Sequence, residues 1–303
     1  MTPLSKQILQ QYQVRKTNGQ KLDFIALLQK QFPEMTVEES NFPKCRNLII
    51  GDLDRAKVIL TAHYDTCPRS LLPSFVMPKK PVLSIFYRIL TWLPALLGAI
   101  ALIYLLTPLG FGFWVNYGIS VAAYTLLILY FMFLSANPHN ANDNTSGVIT
   151  LCELLGMLNQ QSKEKLAFVF FDLEEAGLIG SSQFRSKHQQ QLKDKILINF
   201  DCVGDGDYFL ISATKDAQAQ YGEILKNIFQ PTKDHSLLFT HAKKTYYPSD
   251  QAGFQNAVVI SALKHKKGLG YYLNRIHSPL DTQCDPKNIS YLSKAILQLT
   301  KKL

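Results

Sequence analysis

Residues 89–142 contain no Asp, Glu, Lys or Arg, a gap of 54 positions in a chain whose charged fraction is 18%, where about ten charges would be expected. Within the gap, residues 89–106 form an apolar run of 18 broken only by Thr91, Pro94 and Gly98, and residues 111–134 form a second run of 24. At about 1.5 Å per helical residue, each run covers most or all of a hydrocarbon layer of roughly 30 Å. Thr107-Pro108-Leu109-Gly110 breaks the helix between them, and Trp92, Trp114, Tyr117 and Tyr130 lie towards the run ends, where amphipathic rings favour an interface. The pattern predicts a two-helix transmembrane hairpin at residues 82–134. Helices buried in a soluble core and a re-entrant hairpin are the alternatives, but two adjacent uncharged spans are rare in soluble cores. Two spans return the chain to the side it left. Lys79, Lys80 and Arg88 flank the first span while the connecting loop has no Lys or Arg, so both flanks are expected in the cytoplasm, with the protein in the cell membrane.

The remaining 250 residues, 1–81 and 135–303, suffice for one discontinuous domain. Five scattered cysteines without a C-x-x-C pair argue against a disulfide framework, and the N-terminal sequence lacks the apolar stretch of a cleaved signal. The net charge of +9 admits anionic partners, but without aromatic interleaving or a reader motif nucleic acid is not expected among them. Short apolar runs at residues 57–62, 166–171, 196–200 and 257–261 read as buried strands. Helical patterns occupy 146–158, 181–192 and 218–229, and a last helix opens at Asp285-Pro286. Strands alternating with helices imply an α/β fold, a three-layer sandwich around a mostly parallel mixed sheet.

Ligands in such sheets gather beyond the carboxyl ends of the strands. Those positions carry His63-Tyr64-Asp65, then Asp172-Leu173-Glu174-Glu175, then Asp201; Asp143 and His277 lie in turn-rich segments. Singly, each has an ordinary reading: a strand-end turn, an Asx-turn before a helix, a solvated acidic loop, a surface histidine. Together, two histidines and several carboxylates without a thiolate motif suit a zinc-type hydrolytic centre.

The segments Leu60-Thr61-Ala62-His63-Tyr64-Asp65-Thr66, Asn142-Asp143-Asn144-Thr145-Ser146-Gly147, Phe171-Asp172-Leu173-Glu174-Glu175-Ala176-Gly177-Leu178, Asn199-Phe200-Asp201-Cys202-Val203-Gly204 and Ile276-His277-Ser278-Pro279-Leu280-Asp281-Thr282 resemble, in order, the two-zinc peptidase family of bacterial leucyl aminopeptidases, glutamate carboxypeptidases and glutaminyl cyclases. The resemblance implies two zinc ions per chain, with His63 and Asp201 on one, Glu175 and His277 on the other and Asp143 bridging both. It also implies that Asp65 orients His63 and that Glu174 is the general base for the attacking water. The implied activity is that of a membrane-anchored aminopeptidase acting on peptides. A glutaminyl cyclase and a catalytically silent membrane scaffold are the alternatives. Two features depart from the family: Ser249-Asp250-Gln251 stands where Ser-Asp-His is common, and the membrane hairpin interrupts the motifs. Tyr246 or Tyr247 is a candidate for stabilising the oxyanion. His139 is a competing ligand or a loop residue, and Cys67 and Cys202 have no implied catalytic role.

Overall fold

The structure, a computed structural model, describes residues 1–70, 74–130 and 135–302, the side chain of Trp92 excepted. In chain order the elements are α1 (Pro3–Gln11), α2 (Asn18–Gln31), β1 (Thr36–Asn41), β2 (Lys44–Ile50), β3 (Val58–His63), α3 (Pro81–Leu106), α4 (Phe113–Leu129), α5 (Gly147–Met157), α6 (Gln160–Lys163), β4 (Leu166–Phe171), α7 (Ile179–Lys187), α8 (Gln189–Leu192), β5 (Ile196–Phe200), β6 (Tyr208–Ala213), α9 (Lys215–Ile228), β7 (Ser236–His241), β8 (Ala257–Lys266), β9 (Gly270–Tyr272) and α10 (Pro286–Lys302). The strands form one sheet in the order β1-β2-β4-β3-β5-β8-β6-β7, with β9 beside β8.

The central strands β4, β3, β5 and β8 are mutually parallel, whereas β1 and β2, β2 and β4, β6 and β8, and β8 and β9 pair antiparallel. Each central strand is covered on both faces, which is why it reads as an unbroken apolar run. Alternate residues point to opposite layers. Val58, Leu60, Phe168, Phe170, Ile196 and Ile198 face α1, α2, α5, α9 and α10. Ile59, Val169, Phe171 and Leu197 face Phe184 of α7 and Phe254. This is the expected three-layer α/β sandwich.

The strands anticipated at 166–171 and 196–200 have those bounds, and the last central strand runs on to Lys266. The helix anticipated at 181–192 is instead two, α7 and α8, separated at His188.

The first apolar run lies in α3, which starts eight residues ahead of it, because Pro81 sets the first turn and Ser84 folds its hydroxyl onto the backbone of Met77. This helix is long and apolar enough to cross a membrane. The second, α4, spans 17 described residues, so the expectation of two full spans is met by one helix; residues 131–134 of the anticipated second span lie outside the described residues. The two helices pack on each other. Their outward side chains are exposed, with Ile89 at 65% and Leu105 at 72%, so they are not buried helices of the domain core. Where the chain leaves for α3 and returns, its ends are zipped together: the Arg69 amide donates to Ser135 O at 3.2 Å and the Asn137 amide to Cys67 O at 3.1 Å.

Candidate metal centre

Parallel register brings the site together. His63 ends β3 opposite Phe171, the last residue of β4, so the acidic turn after β4 emerges beside it. Thr61 pairs with Asn199 of β5, and the same register carried two residues further sets Asp201 level with His63. Asp143 arrives in the buried turn ahead of α5, and His277 follows β9 in a left-handed conformation (φ 59°).

The five expected ligands converge. His63 Nε2 lies 3.3 Å from Asp143 Oδ1 and 3.9 Å from Asp201 Oδ1. His277 Nε2 lies 3.0 Å from Asp143 Oδ2 and 3.4 Å from Glu175 Oε1. Asp143 therefore turns one oxygen towards each histidine. Glu174 groups with His63 and Asp201, and Glu175 with Asp143 and His277. Cys67, which the motifs left without a role, is buried with its thiol beside the latter set, and Cys202 lies beside Asp143 and Asp201.

Asp65 sits 3.4 Å from His63 Nδ1, and its two oxygens also accept the amides of Glu174 at 3.0 Å and Glu175 at 3.2 Å. It fixes the acidic turn and stands beside the imidazole. Asp172, by contrast, is outside the site: it pairs with the buried Lys21 of α2 and accepts the Arg46 amide at 3.1 Å.

The cluster is rich in acid. Asp65, Asp143, Glu174, Glu175, Asp201 and Asp250 bring six acids to two histidines. Burial pushes Glu174 well above the carboxylate range and Glu175 up to about 7, although His277 opposes the latter shift. Burial also raises Asp143, but the imidazoles of His277 and His63 outweigh it and hold that carboxyl low. Desolvation lowers the proton affinity of His277, yet Glu175 and Asp143 raise it further, to about 9. Buried oxygens of Glu175 and Asp201 have no hydrogen-bond partner among the described residues. Buried carboxylates in excess, with orphaned oxygens aimed inward, are the environment a divalent cation neutralises.

Several supporting residues escaped the motif reading. Asp281 accepts the amides of Asn142 and Asp143, both at 2.9 Å. Asn144 Oδ1 accepts the Gly147 and Cys202 amides while its Nδ2 donates to Phe200 O, tying the Asp143 turn to the end of β5. Arg15, fully buried, donates to the Tyr64 carbonyl and to Thr145 Oγ1, joining the His63 and Asp143 segments from beneath. The Asn-rich turn and the acid four residues after His277 were visible in the sequence, but nothing there marks a backbone-directed role.

Tyr246 and Tyr247 both line the cavity, and the Tyr247 hydroxyl donates to Asp201 O at 3.2 Å and lies 2.9 Å from Ser261 Oγ. Gln251 donates to Tyr247 O at 2.8 Å and accepts from Asn199, so it braces the loop and does not line the cavity. His139 is exposed and outside the ligand groups. The cavity above the centre holds about 270 Å³, and its far wall is made by Phe75, Val76 and the first turns of α3.

Residues 130–300, more than half of the chain, match the family model described as Peptidase family M28. Over 175 residues the chain is 26% identical to a protein of Arthroderma benhamiae named "Probable leucine aminopeptidase", covering 54% of this chain and 48% of that one. The chain thus spans about half the length of the curated relatives it matches. Among solved structures, it resembles Porphyromonas gingivalis glutaminyl cyclase with a TM-score of 0.61 and 15% identity, over 99% of this chain and 97% of that one. It also resembles a Zn-dependent exopeptidase from Parabacteroides distasonis with a TM-score of 0.57 and 15% identity, over 98% and 94%. With the fold shared and more than half of its length matched, this chain belongs to peptidase family M28.

Proposed function

We propose that the protein is a zinc-dependent aminopeptidase held at a membrane, removing N-terminal residues from peptides. The observation that carries the reading is Asp143 set between His63 and His277, one oxygen to each. The donor set fits zinc: imidazole and carboxylate ligands, with orphaned buried oxygens and an excess of acid. His63 and Asp201 would hold one ion, Glu175 and His277 the other, and Asp143 both. When bound, zinc would supply Lewis acidity, lowering the pKa of the attacking water and polarising the scissile carbonyl.

The chain's own groups do the rest. Glu174, buried and of raised proton affinity, takes the proton from the attacking water and passes it to the leaving amine. Asp65 aligns His63 and holds the Glu174–Glu175 turn. Tyr246 or Tyr247, both on the cavity wall, donates to the developing oxyanion in this reading.

In this reading residues 1–81 and 135–303 form the catalytic domain and residues 82–134 the inserted hairpin whose apolar part anchors it to the lipid bilayer. The basic flank Lys79, Lys80 and Arg88 supports a cytoplasmic position for the domain. The deciding experiment is metal analysis of detergent-purified protein beside hydrolysis of a panel of free and N-acetylated peptides. Two zinc ions per chain and cleavage of free peptides alone are expected. Pyroglutamate formation from N-terminal glutamine without hydrolysis would make it a cyclase, and metal binding without turnover a scaffold.

A further inference from the structure

Acids of the metal centre and, among the described residues, one permanent cation line the same cavity. Arg88, on the second turn of α3, is the one Lys or Arg among the described lining residues, and its guanidinium is exposed. It is near enough to His277 for its charge to act there. The wall that carries it is fixed to the catalytic domain. Ser84 Oγ takes the Met77 amide at 2.8 Å and donates to the Met77 carbonyl at 3.1 Å. Phe75 stacks on Tyr272 at 5.2 Å between centroids and meets Tyr87 of α3 at 5.6 Å. Val76 and Leu273 exchange backbone hydrogen bonds.

We propose that Arg88 receives the C-terminal carboxylate of a di- or tripeptide whose amino end lies against the acids of the metal centre, making short zwitterionic peptides the substrate class. Charges of opposite sign on the walls of one cavity match the two ends of such a peptide. A cavity of about 270 Å³ is of a size to take the few residues of such a peptide. A guanidinium offers a carboxylate two parallel hydrogen bonds, the geometry for reading a chain end. The proposal rests on the aminopeptidase reading above.

The test compares Leu-Ala with Leu-Ala amide, which share the residue removed and differ only in the terminal charge. kcat/KM is measured for the zinc-loaded wild type, Arg88→Gln and Arg88→Lys, in phosphatidylcholine vesicles with and without phosphatidylglycerol. The wild type is expected to favour the free acid by about tenfold or more. Arg88→Gln should raise KM for Leu-Ala about tenfold and bring the ratio of the two substrates near one, with Arg88→Lys between. A wild-type ratio near one, or an equal loss on both substrates, overturns the proposal while the aminopeptidase reading stands. An equal loss seen only with anionic lipid assigns Arg88 to a lipid phosphate and likewise overturns it. Hydrolysis of neither substrate overturns both readings.

Discussion

Asp281 holds Asp143 by its backbone: the Asp281 Oδ2 atom accepts the Asp143 amide at 2.9 Å, while Oδ1 takes the amide of Asn142 at the same distance. The turn that offers both oxygens of Asp143 to the two histidines is thus set by a carboxylate that touches neither. Removing it leaves two buried amides unpaired, at about 1–3 kcal/mol each. Asp281→Ala is expected to weaken zinc binding about 10–100-fold, read by competition with a chromophoric chelator. Unaltered affinity in a folded variant would show that the turn holds itself.

Glu174 and Glu175 are neighbours with opposite proposed tasks. Glu174→Gln keeps size and polarity but cannot take the water proton, so turnover should fall on the order of 100-fold or more with zinc content near normal. Glu175→Gln removes an anionic ligand and should empty one metal position first. Zinc content by mass spectrometry, set beside peptide hydrolysis, separates the two; the reverse pattern would exchange their roles.

The pH dependence of the metal-free protein follows from the buried groups. Burial raises Asp250 and Asp281 to about 7, and acids with folded values above their unfolded ones bind more protons when folded. His277, raised to about 9 against burial by Glu175 and Asp143, acts in the same sense: its contribution is complete below its unfolded value of 6.5 and lost as pH rises through 9. Stability of the metal-free form should therefore fall from about pH 4 to pH 9. Zinc supplies the missing positive charge, so the gap in Tm between loaded and chelated protein should widen with pH over this range. Calorimetry across pH 5 to 9 would reveal a constant gap if these groups are not the source.

Topology can be read by labelling. With both flanks cytoplasmic, Gly110→Cys should react with an impermeant maleimide added outside intact cells, and Lys80→Cys only after lysis. Inverse labelling would place the catalytic domain outside, and labelling of both only after lysis would make the apolar segment a re-entrant or surface-bound element.

The central strands were legible because burial on both faces writes a strand as a continuous apolar run, and the convergence of the candidate ligands because residues of those types cluster where such runs stop. The outer strands were less so. Thr36–Asn41 alternates exposed and half-buried polar residues, and Tyr208–Ala213 follows a turn-rich stretch that hides its start. The helix Asn18–Gln31 did carry a signal, the capping box of Thr17 with Gln20, but its weak apolar stripe gave no periodicity to support it. Asp281, Asn144 and Arg15 act on backbone atoms, so their effect depends on which segments lie beneath them, information a linear sequence does not hold.

The zipped neck at Arg69 and Ser135 has a consequence for biosynthesis. Of the five proposed ligands, His63 alone precedes the apolar helices, and Asp143, Glu175, Asp201 and His277 are all translated after them. As the chain is made, the apolar segment is translated before the acids gathered at the centre. In the membrane-anchored reading proposed above, the metal centre is therefore completed only on a chain whose anchoring segment has already been made.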